Sequence, residues 1–375
     1  MRLLILSITT GQGHHQTGLA ISHFFEKNGH QVTRLDCYEY LSPPVKEMIS
    51  NGYLVSTKYS PKLYGKMYRL AEKTDTKEIN SMLFQIPNTL FHHKMVKYLE
   101  EINPDCIICT HVFAALLITY LMEKGTKYPT IGVITDFKMH PYWVATNLDY
   151  YVTPNEYITP SLLKKGIPKE KILPFGIPIF DKFSKKEKKE DVRKELGLSN
   201  ISTILVMSGS MGFGNVTKLI KVIDSIPMDF QMITVCGKNE RLYQRIEKHK
   251  FSHPIQNFGF VNNVDKLMDA SDCIITKPGG LTISEALAKE LPMLISKPIP
   301  GQEERNLEFL LNFGCCMQIS KTSPVDEVIS QLFMNPKKQE LMLENIRLLK
   351  KPDAAEKLYE HIIKVYLTEN KKEKL

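Results

Sequence analysis

Long hydrophobic runs are scarce in this 375-residue chain. The longest, around Ala114 to Met122, falls far short of the ~20 residues that cross a bilayer. Leu3 to Ile8 has only strand length and carries no cleavage site, so neither a span nor a secretory leader is expected. The protein is expected to stay in the cytoplasm, with any membrane contact peripheral. Cysteine is sparse and odd in number: the seven are Cys37, Cys106, Cys109, Cys236, Cys273, Cys315 and Cys316. Most fall in apolar runs, which predicts buried, reduced thiols rather than a disulfide framework. Cys106 and Cys109 have a redox or zinc spacing, but no second ligand pair follows, and as strand residues they would point apart. No Gly-Lys-Ser/Thr sequence follows any glycine loop, which excludes a Walker A site. A dinucleotide fingerprint is also incomplete: Asp36 stands about 20 residues beyond Gly11 and Gly13, but Gln16 occupies the third glycine position.

What the chain does have is a globular composition, 43% hydrophobic and 24% charged, and a length that favours two domains over one core. Its formal charge of +8 suggests an anionic partner. A nucleotide ligand accounts for little of that excess, leaving membrane phospholipid or nucleic acid. The stretch Asn51 to Thr74 interleaves Tyr53, Tyr59, Tyr64 and Tyr68 with Lys58, Lys62, Lys66 and Arg69. Rings among cations suit a lipid headgroup interface, although a solvated helix with inward tyrosines has the same pattern. No RNA- or DNA-binding motif accompanies it, and no nucleic-acid partner is expected.

The first half alternates apolar strands with helical segments. Leu3 to Ile8 runs into Gly11-Gln12-Gly13-His14, then into an amphipathic helix. A glycine turn at a helix start presents N–H groups and the helix dipole to an anionic or oxygen-rich ligand. Strands ending at His111, at Asp136 and at Glu156 should place these residues on the same edge as His14. His140 and Trp143 follow Asp136 closely and could line an acceptor pocket. A last short strand is expected at Phe175 to Ile179. The charge run Lys185 to Asp191 reads as a solvated domain boundary.

The second half restarts the pattern. Thr203 to Met207 is a strand leading into Ser208, Gly209, Ser210, Met211, Gly212, Phe213 and Gly214, with a helix from Val216. Such a loop makes a phosphate cradle of backbone amides. Ile274 to Gly280 and the alanine-rich run around Glu285 describe strand, turn and helix. Leu291 to Ser296 is the next strand, and Gln302, Glu303 and Asn306 follow it. Glu285 and the Gln302 cluster thus lie where open α/β sheets bind ligands, outside the carboxyl ends of the strands. A sugar nucleotide is the first candidate for that ligand.

In this order, Gly11 to His14, Thr135-Asp136 with His140 and Trp143, Gly176 to Ile179, the Ser208 to Gly214 loop, Gly259-Phe260, Asp272 to Ala286 and Pro300 to Glu303 resemble the monogalactosyldiacylglycerol synthase and processive diacylglycerol glucosyltransferase family. More distantly they resemble the lipid II-forming N-acetylglucosaminyltransferase. The resemblance implies an α/β chain with the GT-B fold, two Rossmann-like domains with a cleft between them. It implies a membrane- and acceptor-binding domain over 1–182, a charged linker over 183–200 and a UDP-sugar domain over 201–350. A C-terminal helix and tail over 351–375 could pack back on the first domain.

The implied activity is inverting transfer of glucose or galactose from a UDP-sugar to diacylglycerol at the cytoplasmic membrane face. A UDP-N-acetylglucosamine-type transferase or an epimerase is the alternative. By the same resemblance the diphosphate lies on Ser208, Gly209, Ser210, Gly212 and Gly214, the uracil near Phe260, the ribose on Glu285, and the sugar at Gln302 and Glu303 beside Gly279 and Gly280. His14 would be the base, with Asp136 as its orienting partner or its rival. Gly13, His140 and Trp143 would serve the acceptor, while Tyr59, Lys62 and Lys66 would meet anionic phospholipid. No Asp-x-Asp pair occurs, so no metal cofactor is expected.

Overall fold

The structure is a computed structural model, described here for residues 1–8, 12–41, 65–66, 68–70, 85–207 and 216–372. It divides into two compact units. The first comprises Met1–Asp181, Pro300–Gln302 and Lys351–Leu375; the second comprises Lys182–Ile299 and Glu303–Lys350.

The first unit runs β1 (Arg2–Ser7), α1 (Gln12–Lys27), β2 (Gln31–Asp36), α2 (Cys37–Leu41), α3 (Gln85–Ile102), β3 (Cys106–Cys109), α4 (Val112–Glu123), β4 (Thr130–Val133), β5 (Tyr150–Val152), α5 (Thr159–Lys164) and β6 (Ile172–Leu173). Its six strands are all parallel and lie in the order β2-β1-β3-β4-β5-β6. Parallel strands are covered on both faces, and Leu3, Leu4, Ile5 and Leu6 are accordingly all buried. Helix α1 lies close to this sheet at Gly18, where an added Cβ would stand 3.3 Å from Ile5 Cγ2. That approach sets the height at which the first turn of α1 meets the strand ends.

The second unit begins with α6 (Lys189–Glu195), followed by β7 (Thr203–Met207), α7 (Val216–Asp224), β8 (Gln231–Val235), α8 (Glu240–Glu247), β9 (Ile255–Phe258), α9 (Val264–Asp269), β10 (Cys273–Thr276), α10 (Gly280–Ala288), β11 (Met293–Ser296), α11 (Gln302–Asn312), β12 (Cys316–Ile319), α12 (Val325–Phe333) and α13 (Pro336–Leu349). Its parallel sheet has the order β12-β11-β10-β7-β8-β9. The last helix, α14 (Ala354–Lys372), belongs to the first unit, where Leu358 and Ile362 join the core of Leu3, Ile5, Ile21 and Phe25.

In each sheet the strand order reverses once, between β1 and β3 and between β7 and β10. Open sheets leave a crevice at the carboxyl ends of the strands where the order reverses. The turns after β1 and β3 carry His14 and His111. The turn after β10 carries Lys277 to Gly280.

Two sequence expectations change. Phe175 to Ile179 forms no strand; the pairing stops at Leu173, with Gly176 at φ 104° and Pro178 unable to donate to a ladder. A Cβ at Gly176 would collide with that of Lys351, so the glycine is needed for this close approach. The stretch 183–200 is part of the second unit rather than a linker, although its charge run Lys185 to Asp191 is solvated as expected, exposed at every position but Lys189. Val192 and Arg193 of α6 are buried, and Arg193 donates to Asp272 at 2.6 Å and to the Ala270 carbonyl at 3.0 Å. Lys189, the one half-buried member of the run, and Arg193 beyond it both meet Asp272.

All seven cysteines are buried and free, as the apolar strands suggest. Burial holds their thiols protonated, pushing Cys236 up to about 11 and Cys315 and Cys316 up to about 12. Among the described residues no helix is long and apolar enough to cross a membrane.

Candidate active site

His14 sits in the first turn of α1 at the switch point of the first sheet. Its Nδ1 lies 2.8 Å from the Thr110 carbonyl oxygen, just beyond β3. The Thr135 hydroxyl, just beyond β4, lies 2.9 Å from the same nitrogen. A carbonyl can only accept, so Nδ1 carries the proton. Among the described residues no group bonds Nε2, which in this tautomer holds a lone pair. Burial lowers the His14 pKa, partly opposed by the bond to Thr110, so the ring is neutral at pH 7.

His111 stands beside it, with ring centroids 4.5 Å apart and planes at 69°. It caps α4, its Nδ1 accepting from Phe113 N at 3.2 Å. Its pKa is driven well below the ordinary value by burial, then by His14 and His140. His140 in turn caps the 3-10 turn Pro141–Ala145 and packs edge-on to Tyr142 and Tyr68.

The expected site residues of this unit fall into different surroundings. Gly13 and Asp136 are half-buried beside His14 and Thr135 respectively. Trp143 is only 4% exposed, its ring packed on Gly132 of β4 so tightly that a Cβ there would lie 2.7 Å from it. It is a core residue and cannot line an acceptor pocket; an indole after His140-Pro141 is drawn inward because β4 offers a glycine to cover. Lys66 is exposed, as are Arg69 and Leu70, the leucine at 69%. Tyr59 and Lys62 lie outside the described residues, as do Tyr53, Lys58 and Tyr64.

In the second unit, Ser208, Gly209, Ser210, Gly212 and Gly214 also lie outside the described residues. The turn after β10 is described. Gly279 is the N-cap of α10, with no side chain capping the helix and open space where a Cβ would be. Packing against the described residues therefore does not require glycine at this position, and among those residues no side chain caps the first-turn N–H groups of Gly280 and its neighbours, which can approach a ligand. Glu285 follows one turn later. Burial raises its carboxyl to about 8, offset in part by Lys182 and reinforced by Asp265. Part of its surface stays accessible, so it remains open to a ligand although protein surrounds most of it.

Gln302 opens α11. Glu303 serves the fold, since its Oε1 accepts from Lys277 at 3.0 Å and its Oε2 from the Ile299 amide at 2.7 Å. The buried Asn306 donates to the Pro278 carbonyl at 3.0 Å, so α11 fixes the turn that opens α10. Phe260 projects from the end of β9, 63% exposed, with the Lys238 ammonium 5.9 Å from its ring centroid. Among the described residues no group of three or more histidine, cysteine, aspartate or glutamate side chains could hold a metal.

Two doubly wound parallel sheets, each with polar groups gathered at its switch point, define the class: two Rossmann-like domains of the GT-B fold. Solved structures agree. Acinetobacter baumannii MurG superposes with a TM-score of 0.63 at 15% identity, covering 97% of this chain and 100% of that one. UDP-GlcNAc 2-epimerase from Neisseria meningitidis gives 0.59 at 16%, with the same coverages. Family models narrow the class. Monogalactosyldiacylglycerol (MGDG) synthase matches residues 14–179 and the glycosyltransferase family 28 C-terminal domain matches residues 203–358. A processive diacylglycerol beta-glucosyltransferase of Bacillus cereus (strain AH820) is 31% identical over 376 residues, 98% of this chain and 94% of the relative. That of Bacillus pumilus (strain SAFR-032) is 30% identical over 368 residues, 96% and 94%. The chain belongs to the monogalactosyldiacylglycerol synthase and processive diacylglycerol glucosyltransferase family.

Proposed function

We propose that this chain transfers a hexose, glucose or galactose, from a UDP-sugar to diacylglycerol with inversion, giving a β-glycosyldiacylglycerol. The observation that carries this reading is the neutral His14 with its Nε2 lone pair, at the switch point of a chain whose relatives bear that activity in their names. In the transfer the acceptor hydroxyl gives its proton to Nε2 as its oxygen attacks the anomeric carbon. The bond from that carbon to the β-phosphate oxygen breaks, and UDP leaves with the electron pair. A neutral imidazole suits the proton transfer near pH 7.

The leaving diphosphate needs fixed donors. The glycine-rich segment 208–214 and the uncapped start of α10 supply that chemistry without a metal. Glu285 suits ribose because its carboxyl, held protonated in the unliganded protein at neutral pH, offers a donor and an acceptor to two vicinal hydroxyls. Phe260 with Lys238 offers a ring and a cation to the base. Exposed Lys66 and Arg69 beside Leu70 suit attachment to anionic lipid on the cytoplasmic face, with no role for nucleic acid.

The test is to incubate purified protein and diacylglycerol liposomes with each UDP-sugar, then follow UDP and the lipid product. UDP release that depends on diacylglycerol, with a monoglycosyl or longer lipid formed, is the expected result. Turnover of UDP-sugar without lipid would support the epimerase alternative instead. EDTA should leave the rate unchanged; strong inhibition would overturn metal independence. Lys58, Lys62, Lys66 and Arg69 replaced together by glutamine should weaken liposome binding, and unchanged binding would refute the docking role of this stretch.

A further inference from the structure

Histidine bases are commonly held by a carboxylate on the far ring nitrogen, and Asp136 is the residue that sequence suggests for this. The structure puts different atoms there. Nδ1 of His14 faces the Thr110 carbonyl at 2.8 Å and the Thr135 hydroxyl at 2.9 Å. Both come from strand ends of one rigid sheet, β3 and β4, while His14 comes from a helix held down on that sheet at Gly18. Thr135 is itself buried, 7% exposed, and the His111 ring stands edge-on at 4.5 Å, so the imidazole has little room to turn.

We propose that Thr135 is a positioning residue for His14: with the Thr110 carbonyl it fixes the proton on Nδ1 and aims the Nε2 lone pair at the acceptor, so that the base is oriented by neutral oxygens rather than by a carboxylate. The inference rests on the reading of His14 as the base. A carboxylate on Nδ1 would stabilise the imidazolium and raise its pKa; neutral acceptors do so less. The base is therefore weaker but remains unprotonated to lower pH. The titratable side chains nearest it along the surrounding elements are His15 on α1, His111 at the cap of α4, Asp136 after β4 and His140 at the following turn; His23, Glu26 and Lys27 lie further along α1, and Cys106 and Cys109 are buried in β3. His111 is held neutral by burial, so it adds no positive charge beside His14.

The experiment has two arms. In the full chain labelled with 15N-histidine, the resting His14 should show a protonated Nδ1 and an unprotonated Nε2 near pH 7; the opposite tautomer would overturn the proposal whether or not transfer is observed. In the second arm, Thr135→Val should lower kcat about tenfold, a fraction of the 10²–10⁴ that a general base contributes. KM for both substrates should hold, and the acid limb of the rate profile should move to lower pH because an acceptor of the Nδ1 proton is lost. Thr135→Ser should restore both. A valine variant with wild-type kcat and an unmoved acid limb would sink the idea. If the valine variant does not fold, the labelled wild-type chain decides alone. If the wild type transfers no sugar, the proposed function fails while the tautomer measurement still stands.

Discussion

The carboxyl of Glu285 is raised to about 8, above the ordinary value of 4.5, because burial disfavours its charged form. Between these two values the unfolded chain has lost the proton and the folded chain keeps it, so stability falls as pH rises through that window. Glu285→Gln should therefore raise the Tm of the unliganded protein at pH 8 and leave it unchanged near pH 4, as thermal melts across pH would read. The same variant should raise KM for the donor most above pH 8, where the carboxyl has lost its proton and can accept from both ribose hydroxyls while an amide cannot. His14 has the opposite sign: its lowered pKa makes stability fall as pH drops below 6.5. His14→Ala should lower kcat by about 10²–10⁴ with little change in donor KM, measured by UDP release. The places of His14 and Glu285 beyond strand ends were legible in the sequence because each follows an apolar strand and a glycine turn, whereas Phe260 entered only through the family resemblance. Thr110 and Thr135 were not: a threonine closing a strand reads as part of that strand, and only the register of β3 beside β4 brings both hydroxyl-bearing residues to one imidazole.

Helices and strands followed the apolar runs closely where both faces of the sheet are covered, as at Thr203–Met207. The reading departed where a charged stretch was taken for a linker and an indole for a pocket wall. The indole of Trp143 fills the surface that Gly132 leaves on β4. Trp143→Ala should cost about 3–5 kcal/mol in urea unfolding, as a large buried side chain does. Helix α6 is fastened similarly, though by charge. Near its start the fully buried Lys289 bonds Asp269 at 2.5 Å and the Lys185 carbonyl, while Glu187 N meets the same carboxylate. Burial outweighs this pairing and leaves the Asp269 carboxyl above its ordinary value. Lys289→Met should then destabilise the second unit by about 3–5 kcal/mol, whereas replacing both partners by apolar residues should cost far less.

At the scale of the whole chain, each unit carries its own parallel sheet, yet the two are not successive in sequence. Segment 182–299 closes the second unit together with 303–350, and 351–372 returns to the first. Leu358 and Ile362 are part of the core that holds Ile21 and Phe25, and Tyr359 packs edge-on to Phe25 at 5.1 Å. Removing everything after Lys350 should leave that core uncovered, lower the melting temperature and promote aggregation, read by scanning calorimetry and light scattering.

Helix α14 also sets an order of events during synthesis. The ribosome emits residues 1–181 first, but their core waits for a helix made some 170 residues later, at a rate of about 5–20 residues per second. The second unit can close while the first still exposes the faces of β1 and α1. The first half of the nascent chain is thus the half that most needs a chaperone, because α14, which completes its core, is made only after the second unit.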